Sequence, residues 1–229
     1  MIHRWFDKQN YFISYNMNIS VVNKVDINEI KRTVLDEDGW IKVLPYDDWM
    51  KFSWDEIRMF MHEYPIYVLP TQELISQLKS LIKSYKTIEI GAGSGNIGRN
   101  LSIKMTDSYL QQRKDVRLVY ELSGQPVIKY PSCVIKADAI TAFRRFKPDC
   151  VIGCYITHKF VDGMKTGNMY GVDFQRLLQS VRRLVLVGNY HIHYENPIMK
   201  IPHKEIELKG GLITRSDDRL SDRIFVWDN

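Results

Sequence analysis

Two groups of residues in this chain have the types and spacing to do chemistry. The first is a glycine turn, Thr87-Ile88-Glu89-Ile90-Gly91-Ala92-Gly93-Ser94-Gly95-Asn96-Ile97-Gly98. Glycines at alternate positions allow positive φ and let a ligand lie against the backbone. A helix starting directly after them offers free N–H groups to that ligand. The second group comprises side chains that can move a proton or hold a substrate. Tyr155, Thr157 and His158 follow one apolar run, and Asn189, His191 and His193 follow another. His158 suits a general base for a hydroxyl or amine, since an unperturbed imidazole titrates near neutrality. A histidine satisfied by the backbone fits the same position. If residues 189–193 are extended, His191 and His193 face the same way and three imidazoles could converge. No carboxylate or cysteine stands at metal-ligand spacing to them, so no metal is expected.

The elements that must position these groups read as follows. Thr87–Ile90 alternates as a short buried strand, and Ile97, Leu101 and Met105 recur four apart, which predicts a helix over 96–112. Further strands are predicted at 116–121, 133–137, 149–154, 184–188, 205–208 and 223–227, with helices over 139–146 and 172–182. Alternating units of this kind build a doubly wound, mostly parallel seven-stranded α/β sheet. The last two strands are joined through Gly210-Gly211 without a helix, which makes the last strand antiparallel. Residues 189–204 read as a loop carrying Pro197 and Pro202. Upstream, Asp26 is placed to cap a helix running towards Gly39, Ser53-Trp54-Asp55-Glu56 spells a capping box, and Thr71 caps a strongly amphipathic helix. The expected division is an N-terminal arm and helical cap over 1–66 and a core over 67–229.

An acidic residue followed by Gly-x-Gly-x-Gly resembles the first motif of the class I S-adenosyl-L-methionine (SAM) methyltransferases, here Glu89, Gly91, Gly93 and Gly95. The antiparallel final strand agrees with that resemblance, which covers about 87–229. The family usually has a helix where residues 189–204 read as a loop. Gly93-x-Gly95-x-x-Gly98 also spells a dinucleotide motif, but counting from Gly91, the first glycine after the strand, puts Asn96 where a third small residue belongs.

The resemblance implies SAM as cofactor and a site at the carboxyl ends of the strands. Glu89, Gly91, Ala92, Gly93 and Gly95 would form its glycine turn, Glu121 would bridge the ribose hydroxyls, and Asp138 with Ala139 would receive the adenine. Asp138 also reads as the cap of the following helix, and a plain surface acid is the other reading of Glu121. His158, Tyr155 and Asn189 would line the acceptor side. The Asn/Asp-Pro-Pro-Tyr and Pro-Cys signatures of DNA methyltransferases are missing. The expected function is therefore methyl transfer to an O, N or S atom of an unknown acceptor, a small molecule in preference to nucleic acid. A SAM- or nucleoside-binding protein without transferase activity is the alternative, and an NAD(P)-dependent oxidoreductase the third.

Composition agrees with this frame. The chain has 229 residues, 45% hydrophobic and 26% charged, as in ordinary globular proteins. Its net charge of +5 comes from 32 basic and 27 acidic residues. The basic clusters Arg144-Arg145 and Arg182-Arg183 sit near predicted helix ends, where cations favour the dipole. Cys150 and Cys154 fall on one strand face and read as small apolar groups. No apolar run reaches membrane length and the N-terminus does not read as a secretory signal, so a cytoplasmic protein with no membrane partner is expected. The aromatic segment 1–23 is expected to dock on the body or to join two subunits in a homo-oligomer.

Overall fold

The computed structural model describes residues 25–156 and 171–229. Among these residues, four helices precede the sheet: α1 (Asn28–Val34), α2 (Tyr46–Trp49), α3 (Trp54–Glu63) and α4 (Gln72–Ile82). The Asp26 carboxylate accepts from the Asn28 amide at the head of α1. Ser53 and Glu56 close a reciprocal capping box at the head of α3, and the Thr71 hydroxyl accepts from the Leu74 amide at the head of α4. Ile30, Trp49, Ile57 and Phe60 pack a separate small core, into which Leu69 and Ile213 also fit. The cap is thus closed by a residue from near the C-terminus, and the Leu69 amide bonds the Ile213 carbonyl.

The remaining elements are β1 (Thr87–Ile90), α5 (Asn96–Leu101), β2 (Lys104–Asp107), α6 (Lys114–Leu122), β3 (Val134–Lys136), α7 (Ala139–Phe146), β4 (Cys150–Cys154), α8 (Phe174–Leu178), β5 (Arg183–Asn189), α9 (Tyr190–His193), β6 (Lys204–Ile206) and β7 (Asp222–Asp228). The strands form one sheet in the order β3-β2-β1-β4-β5-β7-β6. The first five are parallel, and β7 lies antiparallel between β5 and β6. This is the expected seven-stranded α/β sheet with an antiparallel last strand and N-terminal helices. One face packs Ile152 and Val185 against Leu74 and Leu78 of α4, and Cys150 and Cys154 share that face as expected. The other packs Val151 and Leu184 against Ala142 of α7 and Leu177 of α8.

Three expected elements are corrected. The helix predicted over 96–112 stops at Leu101 and gives way to β2. Ser102 takes the left-handed conformation at its C-cap, with φ 56°. That position usually announces itself as glycine, so no letter marked the stop. Met105, spaced like a helical residue, belongs to β2 and packs beneath α5. The strand predicted over 116–121 is helix α6. Val116 is buried and Val119 and Tyr120 half-buried at helical spacing, while Leu118 and Leu122 stand 54% and 79% exposed. The alternation Val116, Leu118, Tyr120 mimicked a strand because Leu118 was left in solvent. The loop expected over 189–204 contains the single turn α9 and a 3₁₀ turn at Pro197–Lys200.

Gly98 marks where α5 meets the sheet. A Cβ built there would land on Met105 Cγ and Glu89 Oε2. Gly98→Ala is expected to destabilise the fold by about 1–3 kcal/mol, read as a lower urea midpoint. An unchanged midpoint would show that α5 can move away freely.

Candidate functional site

The glycine turn sits at the carboxyl end of β1, with Gly91, Gly93 and Gly95 at φ 60°, 53° and 75°. It is held from two sides. Glu89, buried in β1, accepts the Gly98 amide on Oε2 at 2.9 Å. Asp107, at the end of β2, accepts the Gly93 amide on Oδ2 at 2.9 Å and the Tyr109 amide on Oδ1 at 2.8 Å. Asn96, the first residue of α5, accepts the Ile41 amide at 3.3 Å and so ties the cap to the turn.

A cleft of about 460 Å³ opens above the turn. Glu89, Gly91, Ala92 and Gly93 line it, as do Asp138 and Ala139 from the head of α7. Gly95 is not among its lining residues; it stands at the N-cap of α5, against Met105 and Val134. Asp138 caps α7: Oδ1 accepts the Ile140 and Thr141 amides and Oδ2 the Thr141 hydroxyl. Partial burial pushes its carboxyl up, but the Thr141 hydroxyl and the two amides outweigh that and hold it below the usual range.

Glu121 does not belong to this constellation. It lies exposed on α6, paired with Arg117 at 2.7 Å. The strand that would have delivered it to the cleft does not exist, because β2 is formed by Lys104–Asp107. Asp107 is the acid at the second strand end. A sequence signal for it existed in the apolar alternation of Ile103 and Met105 before Asp107, but the Leu101–Met105 spacing masked it. Four other cleft residues were also missed: Tyr67 in the approach to α4, and Gln111, Tyr120 and Tyr130 in the excursion between β2 and β3.

On the acceptor side, Thr157 and His158 lie outside the described residues. Tyr155 lines the cleft at the end of β4, in the left-handed region at φ 54°. Its hydroxyl donates to Asp222 Oδ1 at 2.5 Å. Burial, and then the Asp222 carboxylate, raise its pKa well beyond neutrality, so it is no base. Asn189 is buried and faces protein. Its amide donates to Asp222 Oδ1, the Asp218 carbonyl and Ser216 Oγ, and its oxygen accepts the His191 amide. It is a helix cap and network member that does not line the cleft, because the chain turns into α9 where an extended run was expected.

The same turn separates the histidines. His191 is exposed, 3.3 Å from Asp218. His193 is buried edge-on to Phe174 and Phe225, and burial lowers its pKa to about 4, which keeps it neutral. They do not converge.

The buried carboxyls that hold the turn also have shifted acidity. Burial raises Glu89 to about 8, with the Gly98 amide opposing and Asp107 adding to the rise. Burial likewise raises Asp107, against the pull of the Gly93 and Tyr109 amides. Glu89 is therefore largely protonated at neutral pH.

No protein-family model and no curated protein matches this chain. Solved structures similar to it include the methyltransferase domain of bacterial CtHen1, at 14% identity over 69% of this chain and 98% of that one, with a TM-score of 0.39. The 23S rRNA methyltransferase ErmE follows at 16% identity over 71% and 69%, TM-score 0.38. The Thermoplasma acidophilum protein 1320 has 9% identity over 75% and 93%, TM-score 0.35. At these values the likeness concerns the course of the chain and says nothing of activity.

The Glu89 shift sets a pH dependence. A folded pKa near 8 against an ordinary value of 4.5 means its stabilising contribution is full below 4.5 and is lost as pH rises through 8. Glu89→Gln keeps an oxygen for the Gly98 amide and cannot ionise. Wild type should lose stability relative to this variant by up to about 1.4 kcal/mol per pH unit across that window. Urea unfolding at several pH values checks this, and parallel profiles would count against a titrating Glu89.

Proposed function

We propose that this chain is a SAM-dependent methyltransferase acting on an O, N or S atom of a small acceptor. The observation that carries this reading is the charge of the cleft. Among the described residues, the acids that line it are Asp107, Asp138, Asp173 and the largely protonated Glu89, against Arg176 alone. A glycine turn flanked by acids suits a nucleoside that brings a sulfonium and an ammonium. It does not suit a pyrophosphate, whose two negative charges would meet Asp107 directly behind the turn. The oxidoreductase reading loses ground on that account. The volume of about 460 Å³ falls within the range of small-molecule pockets.

The residues divide by strand end. Gly91–Gly93 lie where the amino-acid half of the cofactor would pass, Asp107 where the ribose hydroxyls would sit, and Asp138 with Ala139 at the adenine. When bound, SAM would supply an electrophilic sulfonium methyl, and its transfer to the acceptor lone pair would leave the C–S electron pair on a neutral thioether. The chain's own contribution is alignment and exclusion of water. Tyr155 shapes the cleft wall at the end of β4 and keeps its proton. The base for an acceptor that must lose a proton is proposed to be His158. A SAM-binding protein without transferase activity remains the second reading, favoured only if the cofactor binds and its methyl goes to no acceptor.

Calorimetry is expected to show SAM binding and no NAD binding. Asp107→Asn should weaken SAM by about tenfold, as for a lost hydrogen bond to a charged group. Ribose hydroxyls favour the ionised carboxylate, whose pKa in the free protein is raised. Affinity should therefore fall as pH drops through that pKa, and Asp107→Asn should flatten the profile. NAD binding in place of SAM, or a pH-independent SAM affinity, would contradict this assignment.

A further inference from the structure

Gln111, Tyr67 and Tyr120 all line the cleft, and they form a cluster with more protons than acceptors. Gln111 follows β2 in a 3₁₀ turn and is 7% exposed. Its Oε1 accepts the Ile128 amide at 2.9 Å, which fixes the direction of the side-chain amide. Its Nε2 then points at Tyr120 Oη, 3.2 Å away, and at Tyr67 Oη, 3.4 Å away. The two hydroxyls stand 3.5 Å apart. Each hydroxyl oxygen can accept one amide proton, and one hydroxyl can donate to the other. At least one hydroxyl proton is left without a protein acceptor among the described residues. Burial, and then Tyr67, raise the pKa of Tyr120, so it stays a neutral donor. Behind Tyr67, the Arg215 guanidinium lies 5.1 Å from the ring centroid, held by Gln125. A donor cluster backed by a cation is the opposite of the acidic surroundings elsewhere in the cleft.

We propose that Gln111, Tyr67 and Tyr120 form a carboxylate-binding site in the cleft. It rests on the reading of that cleft as a SAM site. A zwitterionic ligand entering there is oriented by charge: its carboxylate turns away from the acids and faces this cluster. The carboxylate comes from the amino-acid end of SAM or from the acceptor, and the two sources are separable.

The test compares SAM with decarboxylated SAM, which keeps the sulfonium and the amine, on wild type, Tyr120→Phe and Gln111→Glu. Gln111→Glu retains an oxygen for the Ile128 amide, so the fold should survive by circular dichroism, and it sets a negative charge against a carboxylate. If the cofactor supplies the carboxylate, Tyr120→Phe weakens SAM by about tenfold and Gln111→Glu weakens it further, while decarboxylated SAM binds both variants as it binds wild type. If the acceptor supplies it, both variants bind SAM normally. Acetate titrated into SAM-saturated wild type then shifts tyrosine ring resonances by NMR, and either substitution abolishes those shifts. Equal weakening of SAM and decarboxylated SAM, or no effect in any titration, overturns the site. A wild type that binds neither cofactor overturns the SAM reading instead, and the acetate titration on the free protein still decides the carboxylate site.

Discussion

The structure depends on how closely α5 approaches the first two strands. Gly98 has no side chain, so the helix backbone lies directly on Met105 and on the Glu89 carboxyl. The Glu89 carboxyl in turn accepts the Gly98 amide. A side chain at position 98 would lift α5, and with it the turn at 91–95 and the Gly93 amide that Asp107 holds. Burying an acid for this purpose disfavours its ionised form, and Glu89 accordingly holds a proton into the neutral range. One close contact thus fixes the turn, sets the protonation of the acid beneath it, and shapes the floor of the cleft.

Two other parts of the chain complete the walls. The cap reaches the turn through the bond between the Ile41 amide and Asn96, and the Arg99 guanidinium lies 4.4 Å over the Trp40 ring beside it. The excursion between β2 and β3 comes from the other side, bringing Ile128 within 3.3 Å of where a Gly93 Cβ would stand. Tyr67 from the cap side and Tyr120 from the excursion meet at Gln111. The cleft is therefore enclosed by segments far apart in sequence, joined by side-chain hydrogen bonds.

The antiparallel strand has a role at the opposite wall. It delivers Asp222, buried, to the end of β4, where the carboxylate gathers Tyr155, Asn189 and Thr214. Tyr155 sits in a left-handed conformation that a tyrosine adopts at some cost. Its bond to Asp222 offsets that cost and holds the backbone at the lip of the cleft. The network also explains why Asn189, the last residue of β5, faces inward: its amide completes the coordination of a buried carboxylate.

The sequence by itself determined the framework. Local patterns carried it: the capping box at Ser53 and Glu56, the amphipathic stripe of α4, the glycines after β1, and the Gly210-Gly211 link that made β7 antiparallel. These signals are short-range, because capping, helical periodicity and turn conformation are decided within a few residues. Tertiary structure alone decided which acid stands at the second strand end and where His191, His193 and Asn189 face. Ser102 stops α5 in a conformation its letter does not announce, and that stop moves the strand from 116–121 to Lys104–Asp107. Asp107 then takes the place that had been read for Glu121. Likewise, the turn at α9 is set by Asn189 bonding to Asp218 and Asp222, about thirty residues away. Such contacts depend on which segments the packed sheet brings together, and no local pattern of residues encodes that.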